Sequence, residues 1–430
     1  MAIDFPFLTS YDPPGTSEGT LDPLGLYQIA DQLAVQLVPA VRERMQRIRF
    51  LTAMAVGALV TEGLEDDPAF RDTSPYLVWE WLVVESLIRT KSDDPSLWGV
   101  PGTLVTRRAL ERHGYLDAAS YLKTPRIFGF HGVYKRLAAH LGLVDVHLDP
   151  GPNAEELADA WARDRGLDGL RGAKSVLAGW TAAVQRGLAE NPPRLKSGWG
   201  EKGWVELADA FAPATCKVRE RRFLKNLLLG AEVRNLGAFP ALWKLQDEFQ
   251  DSDFTEERLH DRLEAVEPGY GPLLRAIRAY EAVARRLQDA FDVLRAEAGR
   301  SDIQGFVVAS IAKDADFVRC ATNLHDRFAA AHEALGQVTA AGVPLPTIFT
   351  ERFRVFAEPM SAEACALALC DHHVDVQKKK GDKRAWFDPL GGGRIFIRLA
   401  YRQPRPELQL DRYLHDYRGW PIRRFKADLS

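Results

Sequence analysis

The stretch L-L-R-A-I-R-A-Y-E-A-V-A-R-R-L-Q-D-A-F-D-V-L, residues 273–294, decides the fold class. In it Leu273, Ile277, Tyr280, Ala284, Leu287, Phe291 and Leu294 recur at alternating intervals of four and three. An α-helix gathers such positions onto one face, because its period lies between those intervals. Residues 317–335 repeat the pattern with Phe317, Ala321, Leu324, Phe328, Ala331 and Leu335. Two heptad seams joined by a connector of roughly twenty residues predict an antiparallel helical hairpin of coiled-coil character. At about 1.5 Å per residue, each arm is about 30–36 Å long. The hairpin either packs inside a globular bundle or projects as an arm that docks a partner.

The flanking sequence is also helical in pattern. Residues 21–39 predict a helix that Pro39 ends. A second helix is expected over 40–60, with Arg42, Arg44, Arg47 and Arg49 in its wet first half and an apolar second half. Residues 75–89 open with Pro75 after a capping Ser74 and are apolar on most sides, which marks a core helix. Residues 155–260 read as helices broken by a loop that Trp199 and Trp204 anchor, and the basic start of 219–229 reads as a solvated face. The first twenty residues, rich in Pro, Gly, Ser and Thr, predict an extended arm.

Residues 101–150 follow the order of a winged helix-turn-helix: a helix with a Gly stop, a turn, a second helix capped at Gly142, then the alternating L-V-D-V-H-L-D. Val133, Leu137 and Leu141 form the inner face of the second helix, and Tyr134, Lys135, Arg136 and His140 the outer. Seven Lys and Arg against four Asp and Glu make the segment +3. It serves either as a recognition helix in a major groove or as a packing module.

The 430 residues carry a net charge of −3, which hides an asymmetry: residues 371–430 hold 14 Lys and Arg against 8 Asp and Glu, a net of +6. Such a shift hints at an anionic partner. Cys216, Cys320, Cys365 and Cys370 stand singly, so buried reduced thiols are expected rather than disulfides or a zinc site. The apolar runs at 77–84 and 226–229 are too short to span a bilayer and the first residues lack a signal-peptide pattern, so a cytoplasmic location without membrane contact is expected. The chain is thus read as mainly α and multi-domain: a helical domain over 1–100, a winged-helix-like segment over 101–150, a helical middle over 151–265, the heptad hairpin over 266–340, and over 341–430 a small basic lobe containing a β-hairpin.

That lobe holds D-H-H-V-D-V-Q-K-K-K-G-D-K-R-A-W-F, Asp371 to Phe387. Asp371-His372-His373 is the three-letter signature of the DHH phosphoesterases, which hydrolyse phosphodiesters with manganese. Here it follows S-A-E-A-C-A-L-A-L-C, a helix capped by Ser361, where that family has a strand, and no upstream D-x-D motif supplies further ligands. Asp371, His372, His373 and Asp375 therefore stand as weak catalytic candidates, with no metal site or cofactor assigned. Lys378, Lys379, Lys380, Lys383 and Arg384 are read as a flexible basic turn. After it, R-I-F-I-R-L-A-Y-R alternates as a strand with Arg394, Phe396 and Arg398 on one face. Arg412, Arg418, Arg423 and Arg424 are interleaved with Tyr413, Tyr417, Trp420 and Phe425, a mixture that can hold a nucleic-acid backbone and stack on bases, or pack the lobe on the body. Phosphate-loop, dinucleotide and nucleophile-elbow motifs are missing.

Two stretches, Leu24–Leu51 and Asp371–Asp388 with Ile395–Tyr401, resemble a family of bacterial proteins of uncharacterised activity encoded beside helicases and nucleases in phage-defence, restriction-like gene clusters. The resemblance implies a role in defence. With the charge pattern, it leads to the expectation of a non-catalytic, DNA-binding accessory subunit. Lys135 and Arg136 would contact a groove, Lys378–Arg384, Arg394 and Arg398 would hold phosphate, and the hairpin would dock a helicase, ATPase or nuclease. A metal-dependent phosphodiesterase and a scaffold without nucleic-acid contact are the alternatives.

Overall fold

The computed structural model describes residues 22–64, 73–167, 175–195, 200–230, 236–338, 343–381 and 383–430. The expected N-terminal arm and Trp199 lie outside them. Helices are numbered α1 to α18 in chain order, and among the described residues a three-stranded antiparallel sheet accompanies them. The chain gathers into two compact units rather than five consecutive segments. One joins the described residues up to Leu37 to Asp251–Tyr417, and the other joins Val38–Gln250 to Arg418–Ser430.

The first unit holds α1 (Tyr27–Leu37), α12 (Glu256–Val266), α13 (Gly271–Gly299), β1 (Phe306–Val307), α14 (Ala315–Ala321), α15 (Leu324–Gly336), α16 (Leu345–Phe353), α17 (Ala362–Lys379), β2 (Phe387–Gly391) and β3 (Arg394–Ile397). The heptad hairpin is present. Arg405 ties Glu297, late in α13, to Asp314 and Asp316 at the start of α14. Arg286 donates to the Arg319 carbonyl at 2.9 Å. Tyr280 and Phe328 both meet the Phe349 ring. The partners advance along one arm as they recede along the other, so the arms are antiparallel. The second arm is two helices, because Asn323 turns left-handed (φ 54°) between α14 and α15, yet Phe317, Leu324, Phe328, Ala331 and Leu335 keep one buried seam. On α13 the seam residues from Ile277 to Leu294 are buried, and so are Leu274, Val283, Ala290 and Val293 beside them. Burial on that much of its circumference makes α13 the centre of a bundle rather than a projecting arm.

β3 lies between β1 and β2, with Phe387 opposite Ile397 and Phe306 opposite Ile395. Gly391, Gly392 and Gly393 make the hairpin tip at φ 80°, 58° and 70°, a run of left-handed residues that only glycine tolerates cheaply. Asp388, Pro389 and Leu390 belong to β2.

The second unit holds α2 (Phe50–Thr61), α3 (Pro75–Lys91), α4 (Thr103–His113), α5 (Pro125–Phe128), α6 (Phe130–His140), α7 (Ala154–Asp164), α8 (Val176–Leu188), α9 (Glu201–Phe211), α10 (Val218–Leu229), α11 (Phe239–Leu245) and α18 (Gly419–Asp428). Residues 40–49 do not form the first half of α2. They make a loop, which Pro39 and the ion pairs of its arginines favour: Arg49 is buried against Glu220 at 2.9 Å, and Arg47 meets Asp428 at 3.1 Å. That same Glu220 gives the basic start of α10 a buried side instead of a wholly solvated face. Ser74 caps α3 by accepting from the Leu77 amide at 3.3 Å, and every residue from Pro75 to Ile88 is buried. Gly57 lets α3 approach α2. A side chain there would start 2.3 Å from the Trp79 Nε1, which donates to the Ala53 carbonyl at 3.0 Å. Trp79, Trp161, Trp180 and Phe211 close the core as one ring cluster.

In the winged-helix-like segment α4, α5 and α6 supply the helices, but a single Val144–Pro150 bridge stands where an alternating strand is expected. Among the described residues no helix is long and apolar enough to cross a membrane.

Candidate nucleic-acid interface

The site follows from α17. Ser361 accepts from the Ala364 amide at 3.2 Å and starts the helix, which runs past Asp371-His372-His373 to Lys379. The histidines therefore lie within the helix, and Lys378 and Lys379 form its last turn instead of a flexible turn. Both histidines point inward. His372 Nε2 donates to the Leu24 carbonyl at 2.9 Å. His373 Nε2 accepts from the Trp386 amide at 3.0 Å, so its Nδ1 carries the proton and donates to Pro23 O at 2.9 Å. Burial pushes His373 down to about 4 and lowers His372 as well, so both are neutral near pH 7. They clamp the 22–26 segment onto α17, and Gln377 joins them on Pro23.

Asp371 and Asp375 are exposed. With His372 they line a cleft of about 1270 Å³ between the 22–32 segment, α16 and α17. His373, whose two ring nitrogens are both taken by backbone groups, is not part of it. Among the described residues no group of three or more His, Cys, Asp or Glu is placed to hold a metal ion. The cleft carries six carboxylates and four cations among its described residues, a balance unsuited to cradling phosphate. All four cysteines are buried and unpaired, and burial pushes each thiol up to about 12, which makes them inert.

The cations divide into two sets. Lys378, Lys379, Arg384 and Arg394 are exposed, and Lys383 is half-buried. Arg384 lies 3.5 Å from Asp388, and Arg394 donates to the Gln304 carbonyl at 3.2 Å. Two expected phosphate ligands serve the fold instead. Lys380 donates to the Asp22 carbonyl, faces its carboxylate and is lowered by burial. Arg398 is 5% exposed and pairs with Asp388 at 2.9 Å, because the strand ends at Ile397 and its side chain turns inward. In the tail, Arg418 is buried and donates to the Val41 carbonyl, and Arg423 donates to the Phe249 carbonyl.

On α6, Arg136 is exposed, whereas the Lys135 ammonium donates to the Val146 carbonyl at 2.5 Å. Tyr134, expected outward, is fully buried and accepts from the Arg47 amide at 2.8 Å. Its hydroxyl satisfies a loop amide, a long-range use that helical periodicity cannot reveal.

Of three exposed aromatics, sequence reasoning named Trp420 but missed the other two. Trp98 is 61% exposed, Phe128 42% and Trp420 36%. Arg424 faces both indoles, with its guanidinium carbon 4.4 Å from the Trp98 ring and 5.9 Å from Trp420, and Arg44 lies 4.7 Å over Phe128. Only the interleaving of Arg424 with Trp420 signalled this; Trp98 and Phe128 are hundreds of residues away in sequence. The chain matches no protein-family model, no curated protein and no solved structure.

Proposed function

We propose that this protein is a DNA-binding accessory subunit of a bacterial anti-phage or restriction-like system, which holds nucleic acid and leaves the chemistry to a helicase, ATPase or nuclease partner. The reading rests on one observation: Lys378, Lys379, Lys383 and Arg384 follow one another between the last turn of α17 and the start of β2, with Lys378, Lys379 and Arg384 exposed, and the exposed Arg394 stands at the tip of the hairpin that follows. Cations grouped in this way suit contact with phosphate oxygens. The structural employment of His372 and His373 weighs against a metal-dependent phosphodiesterase.

The test is fluorescence anisotropy with labelled duplex and single-stranded DNA over a range of salt. The wild type is compared with a Lys378→Ala/Lys379→Ala variant, which leaves the structural Lys380 in place. The expected result is salt-sensitive binding whose log–log slope shrinks by about 2 in the variant, one unit per lost phosphate contact. A flat salt response, or equal affinity and slope in the two proteins, overturns the reading.

A further inference from the structure

We propose that Trp98, Trp420 and Phe128, with Arg424 and Arg44, form a stacking platform for the unpaired bases of single-stranded nucleic acid. This rests on the nucleic-acid reading above and names the strand form and a separate contact site.

All five residues belong to the unit that joins Val38–Gln250 to Arg418–Ser430. The 42–47 loop links the two aromatic pairs. Its Gln46 packs on Gly99, next to Trp98, so closely that a Cβ on that glycine would lie 2.6 Å from the Gln46 Cβ. Arg44, two residues earlier, covers Phe128. Arg47 fastens the loop to α18 through Asp428. The loop and two helix ends thus bring together side chains from four parts of the sequence.

An indole that is 61% exposed is unusual on a protein surface, where large aromatics are mostly covered. Here each aromatic has a guanidinium against it. Cation–π contact holds the rings in one orientation and lowers the ordering that a ligand must impose. In this unit Asp428 pairs with Arg47, and Asp94 accepts from the Ser96 amide at 2.8 Å. An exposed Arg44 and a half-buried Arg424 beside aromatic rings favour an anionic ligand with flat apolar parts. A nucleic-acid strand fits, with bases stacking on the rings and phosphates meeting Arg44 and Arg424. A duplex does not, because its base faces are already stacked on one another.

The test uses the full chain and a fluorescein-labelled oligothymidylate, a matched abasic strand and a matched duplex. Trp98→Ala/Trp420→Ala should melt like the wild type, since both rings are exposed. It should bind oligothymidylate about 5- to 150-fold more weakly for each stacked base lost, with duplex affinity unchanged. The wild type should also prefer oligothymidylate to the abasic strand. Equal oligothymidylate affinity in variant and wild type overturns the platform while leaving DNA binding in place, and so does equal binding of the abasic strand. Failure of the wild type to bind any strand at low salt overturns both readings. Tryptophan quenching by anionic phosphatidylserine vesicles, without quenching by oligothymidylate, assigns the platform to a membrane surface and overturns the proposal.

Discussion

His372 and His373 show how a residue's role follows from what surrounds it. Adjacent histidines beside aspartates resemble a hydrolytic signature, yet each uses a ring nitrogen to hold a backbone carbonyl of the 23–24 segment. For His373 the folded state disfavours the proton, with burial lowering it from 6.5 to about 4. The unfolded chain takes up that proton first, so the contribution is complete above about 6.5 and is lost as pH falls toward 4. Urea denaturation of the wild type should therefore show stability dropping from pH 7.5 to pH 5. In His373→Ala the midpoint should be lower at pH 7.5 and the drop on acidification smaller. An unchanged drop would assign the acid sensitivity to other groups. His260 adds to the same trend, since burial lowers it to about 3.

At the scale of elements, patterning and caps carry most of the information. Ser74 and Ser361 cap the helices they precede, and the heptad seams run through α13, α14 and α15 even where Asn323 breaks the second arm. The hairpin tip depends on three consecutive left-handed glycines. Gly392→Val should cost about 1–2 kcal/mol through the left-handed penalty of a branched residue, although no atom lies within 4 Å of its Cβ position. A melting comparison with Gly392→Asn, which tolerates that conformation better, separates backbone strain from a clash: a valine variant as stable as the wild type would contradict the assigned turn. Within the core, Gly57→Ala should lower stability by about 1–3 kcal/mol, because the added carbon meets Trp79 at once. Chemical denaturation monitored by tryptophan fluorescence checks this.

Across the whole molecule, the chain assembles its units from segments far apart in sequence. α18 returns to the second unit, where Ile422 and Phe425 are buried, Lys426 donates to the Trp243 carbonyl and Asp428 receives Arg47. Ending the chain after Tyr417 should therefore destabilise the Val38–Gln250 segment by several kcal/mol, from about 1.5–3 for each large apolar side chain uncovered. Hydrogen exchange is the direct readout: faster exchange in α11 and the 42–47 loop is expected, and unchanged protection there would show that α18 contributes no stability. The positive balance of the last sixty residues is likewise decided at this scale. Arg405 is absorbed by Glu297, Asp314 and Asp316, while Lys378 and Lys379 stay exposed.

The mainly helical class, the heptad hairpin, the capped core helix and the β-hairpin near the C-terminus were legible in the sequence, because periodicity and caps act over a few residues and need no distant partner. The loop at 40–49, the inward turn of Arg398 and Tyr134 and the clamp made by the two histidines were not. Each depends on a partner outside its own helix, strand or loop: Glu220, Asp388 on the neighbouring hairpin strand, the Arg47 amide, the Pro23 and Leu24 carbonyls. Sequence alone determines which residues prefer a helix or a buried face. The tertiary structure decides which cations keep their charge at the surface and which are spent on carboxylates and carbonyls, because that depends on distances between residues that local pattern does not encode.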